Sequence, residues 1–349
     1  MKTAVILFNL GGPDRPEAIK AFRINLFSDR AIIRAPIFIR FWLARLIAAS
    51  SAKAAMENYM LMGGRSPLLA FTQAQGRALE AACGPDYKCF PVMRYWHPFA
   101  RDVVREVKAW NPDRILLLPL YPQFSTTTTG SSLNDWREAA AAGGLVKPVT
   151  TLCCWHDDPA FAAAIAVLVD EKIGEAKLAL PEAKIRVLYS AHGLPESIVK
   201  AGDPYQAHVE ASVAAVQAKL KHGDVETHGD VETMVCYQSR ATPQTWLSPS
   251  TIEAIEQAGQ DGVALVVVPI AFVSDHIETL VELDIENREL AERCGVIGYF
   301  RVRAPNDDPA FIAALAGIVR RADTTGLCRA GSLCEGHKDC PWERQCRRS

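Results

Sequence analysis

The stretch Val187-Leu-Tyr-Ser-Ala-His-Gly-Leu-Pro195 is an apolar run rich in branched residues that stops at small residues, presents His192, and turns through Gly193 and Pro195. Similar runs recur at Thr3–Leu10, Arg114–Leu120 and Val263–Phe272, with the opening one spanning Arg186–Ser190. They alternate with alanine-rich segments of helical spacing at Ala100–Trp110, Pro159–Ile173 and Pro204–Leu220. Strand and helix patterns in alternation predict an α/β fold built on mainly parallel, doubly wound sheets. The carboxyl end of a parallel strand is where such folds handle ligands, so His192 is a candidate for chemistry; the plainer alternative is a histidine that bonds a loop carbonyl.

A weak internal parallel points to two lobes. Leu7-Phe-Asn-Leu-Gly-Gly-Pro13 and Leu188-Tyr-Ser-Ala-His-Gly-Leu-Pro195 each take a strand into a glycine-proline turn. Leu116-Leu-Leu-Pro-Leu-Tyr-Pro-Gln-Phe-Ser125 and Val266-Val-Val-Pro-Ile-Ala-Phe-Val-Ser274 share a second design. A chain of 349 residues with 49% hydrophobic residues can fill two cores. The expected division is an α/β lobe over 1–150, a second over 151–323, and a cysteine-rich tail over 324–349.

A net charge of -2 gives no pull toward nucleic acid. The first strand lacks a signal-peptide cleavage pattern, and no apolar run reaches a membrane span, so a cytoplasmic protein is expected. The nearest apolar segment, Ala35–Ala49, is interrupted by Arg40 and Arg45. The commoner reading is a helix packed on its own core. The other is an amphipathic lip touching a bilayer or a flat apolar ligand. The repeated hexapeptide His222-Gly-Asp-Val-Glu-Thr227, His228-Gly-Asp-Val-Glu-Thr233 reads as a duplicated surface loop without a function of its own.

Phe272-Val-Ser-Asp-His-Ile-Glu-Thr-Leu-Val-Glu-Leu-Asp-Ile-Glu286 is the second informative block. Ser274 or Asp275 is a plausible helix N-cap, and Glu278, Glu282 and Glu286 then recur every fourth residue along one face. An exposed acidic face is common, but like charges at this spacing oppose the helix by a few tenths of a kcal/mol per pair. The alternative is a carboxylate track for divalent cations that begins beside His276, with His192 supplying an imidazole. Three further clusters mix aromatic, methionine and polar residues as a large flat apolar ligand with acidic substituents requires: Asn58–Pro67, Arg94–Pro98 and Tyr121–Gly130. Ten cysteines without an export signal do not make a disulfide framework; Cys328, Cys334, Cys340 and Cys346, with five residues between successive ones, could close on zinc or on a 2Fe-2S cluster.

These pieces together resemble the ferrochelatases. The resemblance runs through Asn9-Leu-Gly-Gly-Pro13, Gly63-Gly-Arg-Ser-Pro67, Arg94-Tyr95, Tyr121-Pro-Gln123, Thr128-Thr-Gly-Ser-Ser132, Ser190-Ala-His192 and Ser274–Asp284. It implies a type II chelatase-like fold, two Rossmann-like lobes with a central cleft for the porphyrin, and the insertion of Fe2+ into protoporphyrin IX to form protohaem. By motif, His192 and Glu278 fall on the family's catalytic, metal-handling pair, and Asp275, His276, Glu282 and Glu286 on its acidic conduit. Tyr59, Ser66, Arg94 and Tyr95 fall on the porphyrin pocket, and residues 37–46 on a lip suited to peripheral membrane contact at the inner face. The tail resembles that of the members holding a 2Fe-2S cluster, which favours iron–sulfur over zinc. Thr126 stands where the animal enzymes have an internal ligand, so either the four tail cysteines suffice or Cys153 or Cys154 replaces one. Two rival readings are another tetrapyrrole chelatase (iron into coproporphyrin, or cobalt or nickel) and a non-catalytic haem or metal carrier. A nicotinamide enzyme is disfavoured, since no Gly-x-Gly-x-x-Gly follows the first strand.

Overall fold

The computed structural model describes residues 1–221, 231–239 and 244–325. The chain forms two compact units: Met1–Trp155 together with the chain from Ile312, and His156–Phe311. The tail cysteines Cys328, Cys334, Cys340 and Cys346 lie outside the described residues.

The first unit holds four parallel strands: β1 (Thr3–Asn9), β2 (Tyr87–Met93), β3 (Arg114–Pro119) and β4 (Val149–Thr151), in the order β2-β1-β3-β4. The second unit repeats that order with β5 (Ile185–His192), β6 (Val231–Gln238), β7 (Ala264–Pro269) and β8 (Tyr299–Arg301), as β6-β5-β7-β8. The first strand of each unit is therefore a central one. β1 is buried at every position and β5 at every position but His192, which is why both read as unbroken apolar runs. The anticipated α/β class with parallel sheets is what forms.

Helices cover the sheets because their apolar stripes match the sheet faces. Helix Ala100–Trp110 sets Val103, Val104 and Val107 against Ile6, Phe8 and Ile115, and each such side chain contributes about 1.5–3 kcal/mol. In the second unit Ala254, Ile255 and Ala258 of helix Thr251–Asp261 pack on Leu188, Leu265 and Val267. Helix Pro159–Ala179 starts where expected: the Asp158 side chain accepts from the Ala160 and Phe161 amides, with Pro159 at the first turn. Helix Pro309–Thr325 leads back to the first unit, where Arg114 and Tyr87 both reach Asp323.

Two expectations change here. Residues 222–230 of the hexapeptide repeat lie outside the described residues, but Val231, Glu232 and Thr233 open β6 rather than forming a loop. Their alternating branched side chains suit a strand, and Glu232 accepts two bonds from Arg186 on β5. The helix Ile37–Ser50 does not pack on its own core: only Ala44 and Ala48 are buried, while Phe38 is 81% and Trp42 72% exposed. The small alanines let its inner face approach, and the large apolar residues are left on the outer side. Arg45 lies across Phe41 with its guanidinium carbon 3.3 Å from the ring centroid. Among the described residues no helix is long and apolar enough to cross a membrane.

Candidate metal-insertion site

β5 ends at His192 and β6 at Gln238, its register partner. Gly193 lets the chain turn there, because a Cβ at that position would lie 2.7 Å from the Gln238 carbonyl oxygen. The Ser190 hydroxyl donates to Gln238 Oε1 at 2.9 Å, which fixes the amide so that its nitrogen donates to the Glu278 carbonyl at 3.0 Å and to Glu282 Oε2 at 3.2 Å. Strand ends and the acidic segment after β7 are thus tied together by one side-chain amide.

That segment is helical from Glu278 to Glu286 but wound as a π-helix, continuing as an α-helix over Asn287–Arg293. Neither Ser274 nor Asp275 caps it as anticipated. The residue in that place is Ile277, which offers no side-chain cap, and Thr279 in the first turn reaches back instead, its hydroxyl accepting from the His276 amide at 2.9 Å and donating to the His276 carbonyl at 3.0 Å. The Asp275 carboxylate is otherwise engaged: Oδ1 meets Arg301 Nη1 at 2.9 Å and Oδ2 accepts from Asn306 Nδ2 at 2.9 Å. π-helical turns are rare and cluster at functional sites.

Glu278 Oε2 lies 3.2 Å from His192 Nδ1 and 3.6 Å from His276 Nε2. The His192 contact is an ion-pair distance without a well-aimed ring N–H. The His192 side chain is 42% exposed and that of Glu278 23%, so the pair is partly open. His276 is buried, with Nδ1 3.0 Å from the Ser274 carbonyl, which orients Nε2 toward Glu278. Burial alone would lower the His192 pKa; the charge and contact of Glu278, with Glu282 behind it, outweigh burial and raise it. Burial would raise the Glu278 carboxyl, but His192 and then His276 hold it well below the usual carboxylate range. Glu282 is raised, by burial and by the negative charge of Glu278, against the opposing bonds of Ser239 and Gln238. One site therefore contains a strongly ionised carboxylate, an imidazole inclined to hold a proton, and a second carboxylate inclined to accept one. Glu286 is exposed at the far end of the same helix.

The residues expected to hold a porphyrin fall in the first unit, where β1 and β2 end. Gly12 packs so close to Ser66 that an added Cβ would sit 2.4 Å from the Ser66 Cβ, and the same position faces the buried Tyr59 hydroxyl. The Arg94 and Tyr95 amides bond the Asn9 and Leu10 carbonyls at 2.9 and 3.0 Å. Their side chains converge on Asp29 Oδ2, Arg94 Nη2 at 2.9 Å and the Tyr95 hydroxyl at 2.8 Å, with the Ser131 hydroxyl also donating. Arg94 also donates to Ser131 at 2.7 Å, so this cation is compensated within its own unit.

Gln238, Ser239, Arg301 and Asn306 are site residues that the sequence reading missed. The first two carried a signal: they close the run Met234-Val-Cys-Tyr237 as Ser190-Ala-His192 closes its own strand. Arg301 and Asn306 carried none, since they are joined to the site only through the fold.

The ferrochelatase family model matches residues 2–323. A ferrochelatase from Caulobacter vibrioides is 47% identical over 348 residues, covering 98% of this chain and 96% of its own. One from Phenylobacterium zucineum is 48% identical over 349 residues, with coverage of 98% and 96%. Among solved structures, SirB from Bacillus subtilis with Fe3+ superposes with a TM-score of 0.53 at 12% identity, covering 95% of this chain and 100% of its own. That likeness is one of fold.

Proposed function

The chain belongs to the ferrochelatase family, and from that premise we propose that His192 and Glu278 carry the insertion of Fe2+ into protoporphyrin IX, the step that forms protohaem and ends haem biosynthesis. The observation that supports these roles is Glu278 Oε2 set between His192 Nδ1 at 3.2 Å and His276 Nε2 at 3.6 Å. Insertion removes two protons from pyrrole nitrogens and strips water from the entering cation. An imidazole and an ionised carboxylate answer both needs, since they are ligands for a first-row metal and proton acceptors. Glu282, with its raised carboxyl, is suited to take a proton onward. Glu286 extends that face, whereas Asp275, held by Arg301 and Asn306, serves in this reading as scaffold.

In the first unit the proposal gives Tyr59 and Ser66 to the macrocycle, with Arg94 and Tyr95 shaping the wall through Asp29. The exposed apolar face of residues 37–46 serves as the lip, a peripheral contact with the inner face of the membrane. Binding to anionic vesicles that is lost in Phe38→Ser/Trp42→Ser supports this; equal binding by wild type and variant removes the lip. The tail thiolates Cys328, Cys334, Cys340 and Cys346 would hold a 2Fe-2S cluster, and Cys153 and Cys154, buried with sulfurs 3.6 Å apart, are the internal candidates for a replaced ligand. Iron with acid-labile sulfide in the purified protein supports a cluster, and stoichiometric zinc without sulfide overturns it.

The deciding experiment is anaerobic haem formation from Fe2+ and protoporphyrin IX, run beside coproporphyrin and beside Co2+ and Ni2+. Preferential use of Fe2+ and protoporphyrin IX supports the proposal; preference for coproporphyrin or another metal replaces the substrate.

A further inference from the structure

The π-helix Glu278–Glu286 needs support from outside, because its wide turns are not a form that helices adopt on their own. The short edge strand β8 supplies it. The Tyr299 hydroxyl donates to the Leu283 carbonyl at 2.7 Å, and Arg288 donates back to the Tyr299 carbonyl at 2.8 Å. Arg301 does more. Its Nε and Nη2 meet Asp284 Oδ1 and Oδ2, each at 2.6 Å, while Nη1 meets Asp275 Oδ1 at 2.9 Å.

Asp275 lies just before the π-helix and Asp284 within it, so one planar guanidinium joins two points of the chain with Glu278 between them. Asn306 tightens the first point. Its side chain accepts from the Asp275 amide at 2.8 Å and donates to Oδ2 at 2.9 Å, from a backbone held at φ 47. A left-handed non-glycine residue is a cost the surrounding bonds must sustain. Ser239, at φ 65, does the same on the other side, its amide 2.9 Å from Glu282 Oε1.

We propose that Arg301 is a positioning residue for metal insertion: by clamping Asp275 and Asp284 it fixes where Glu278 stands relative to His192. The clamp also sorts the acids of this segment. Asp275 and Asp284 are neutralised by a fixed cation whose side chain is only 10% exposed, and among the described residues Glu278 and Glu282 meet histidines, an amide and a serine. A permanent cation paired with Glu278 would compete with Fe2+; one paired with its neighbours does not.

The inference rests on the assignment of Glu278 to insertion. It is tested by anaerobic initial rates on folded holoprotein, with Tm recorded. Arg301→Lys keeps a charge but not the fork. Its kcat falls by about tenfold or more, as a displaced catalytic group requires, while KM for protoporphyrin IX is unchanged. Asp284→Asn, which leaves Arg301 paired with Asp275, gives the same kcat loss and decides the matter should Arg301→Lys not fold. Arg303→Lys is the control: its partner Asp308 lies outside the π-helix, and kcat stays at the wild-type value. In the Glu278→Gln background Arg301→Lys has no further effect on the residual rate. Unchanged kcat in Arg301→Lys and Asp284→Asn, or full additivity with Glu278→Gln, overturns the clamp alone. Undiminished insertion by Glu278→Gln overturns the catalytic assignment, and the clamp with it.

Discussion

β1 and β5 occupy the same place in two sheets of the same order, and each ends in a glycine-proline turn, yet their last residues do different work. Asn9, at the end of β1, turns its amide inward: Nδ2 donates to the buried Thr72 hydroxyl at 3.1 Å and Oδ1 accepts from the Leu10 amide at 2.9 Å. His192, at the end of β5, is partly open and faces a carboxylate held in its ionised form. The glycines differ in the same sense. Gly12 admits Ser66, while Gly193 admits Gln238, whose amide orders the acidic helix. One strand end is closed by its own neighbours, and the other presents an imidazole to carboxylates that, among the described residues, no Lys or Arg neutralises.

The largest effect that tests this division is in the second unit. His192→Ala should lower Fe2+ insertion by roughly 10²–10⁴, the range for loss of a proton-transferring group, with protoporphyrin binding by fluorescence quenching retained. Undiminished insertion would return His192 to the plain role of a loop histidine. The next effect is on stability and lies in the first unit. Arg94→Met leaves Asp29, nearly buried, with Tyr95, Ser131 and the Ala31 amide as donors but, among the described residues, no cation. Breaking such a pair costs about 3–5 kcal/mol, and the three remaining donors place this case at the low end in urea unfolding. A negligible change would mean that the Asp29 network is not what holds that strand end.

The sequence made the strands and their parallel class legible, because apolar runs buried on both faces are local patterns, and it singled out His192 as the polar end of one of them, whereas the pairing of His192 with Glu278 was read from the motif resemblance. It could not show the π-helix: Glu278, Glu282 and Glu286 have the same spacing whether the turns close at four residues or five. Arg301 was hidden for another reason, as it lies in the ordinary-looking Tyr299-Phe-Arg301 and acquires its partners only through the order β7-β8. The 37–46 segment misled toward a core because composition does not say which face a helix turns outward. Arg94 and Tyr95 read as pocket lining, and no local pattern pointed to Asp29, more than sixty positions away, as their shared acceptor.

A smaller effect concerns pH. The His192 pKa is raised by Glu278 against the pull of burial, so NMR titration should place it above the ordinary value of about 6.5. In Glu278→Gln burial remains and the charge is gone, and the value should fall below the ordinary one. The raised histidine stabilises the fold below its ordinary pKa and loses that contribution as pH rises through the raised one. The depressed Glu278 stabilises above its ordinary pKa and loses it as pH falls through the lowered one. The pair is therefore most stabilising between the two ordinary values and weakens to either side. An unshifted His192 in Glu278→Gln would show that the 3.2 Å contact does not govern the imidazole.

The smallest effect completes the comparison at β1. Asn9→Ala removes two hydrogen bonds: the Thr72 hydroxyl keeps its donation to the Leu68 carbonyl at 2.8 Å, while the half-buried Leu10 amide loses Asn9 Oδ1 as its acceptor. The cost should be about 2 kcal/mol, roughly 1 for each lost bond, and kcat/KM should not move. A stability loss several times larger would mean that Asn9 anchors more of the first unit than its two bonds account for. A loss of kcat/KM comparable to that of His192→Ala would mean that the end of β1 takes part in the chemistry, and that the two strand ends are not divided between structure and reaction.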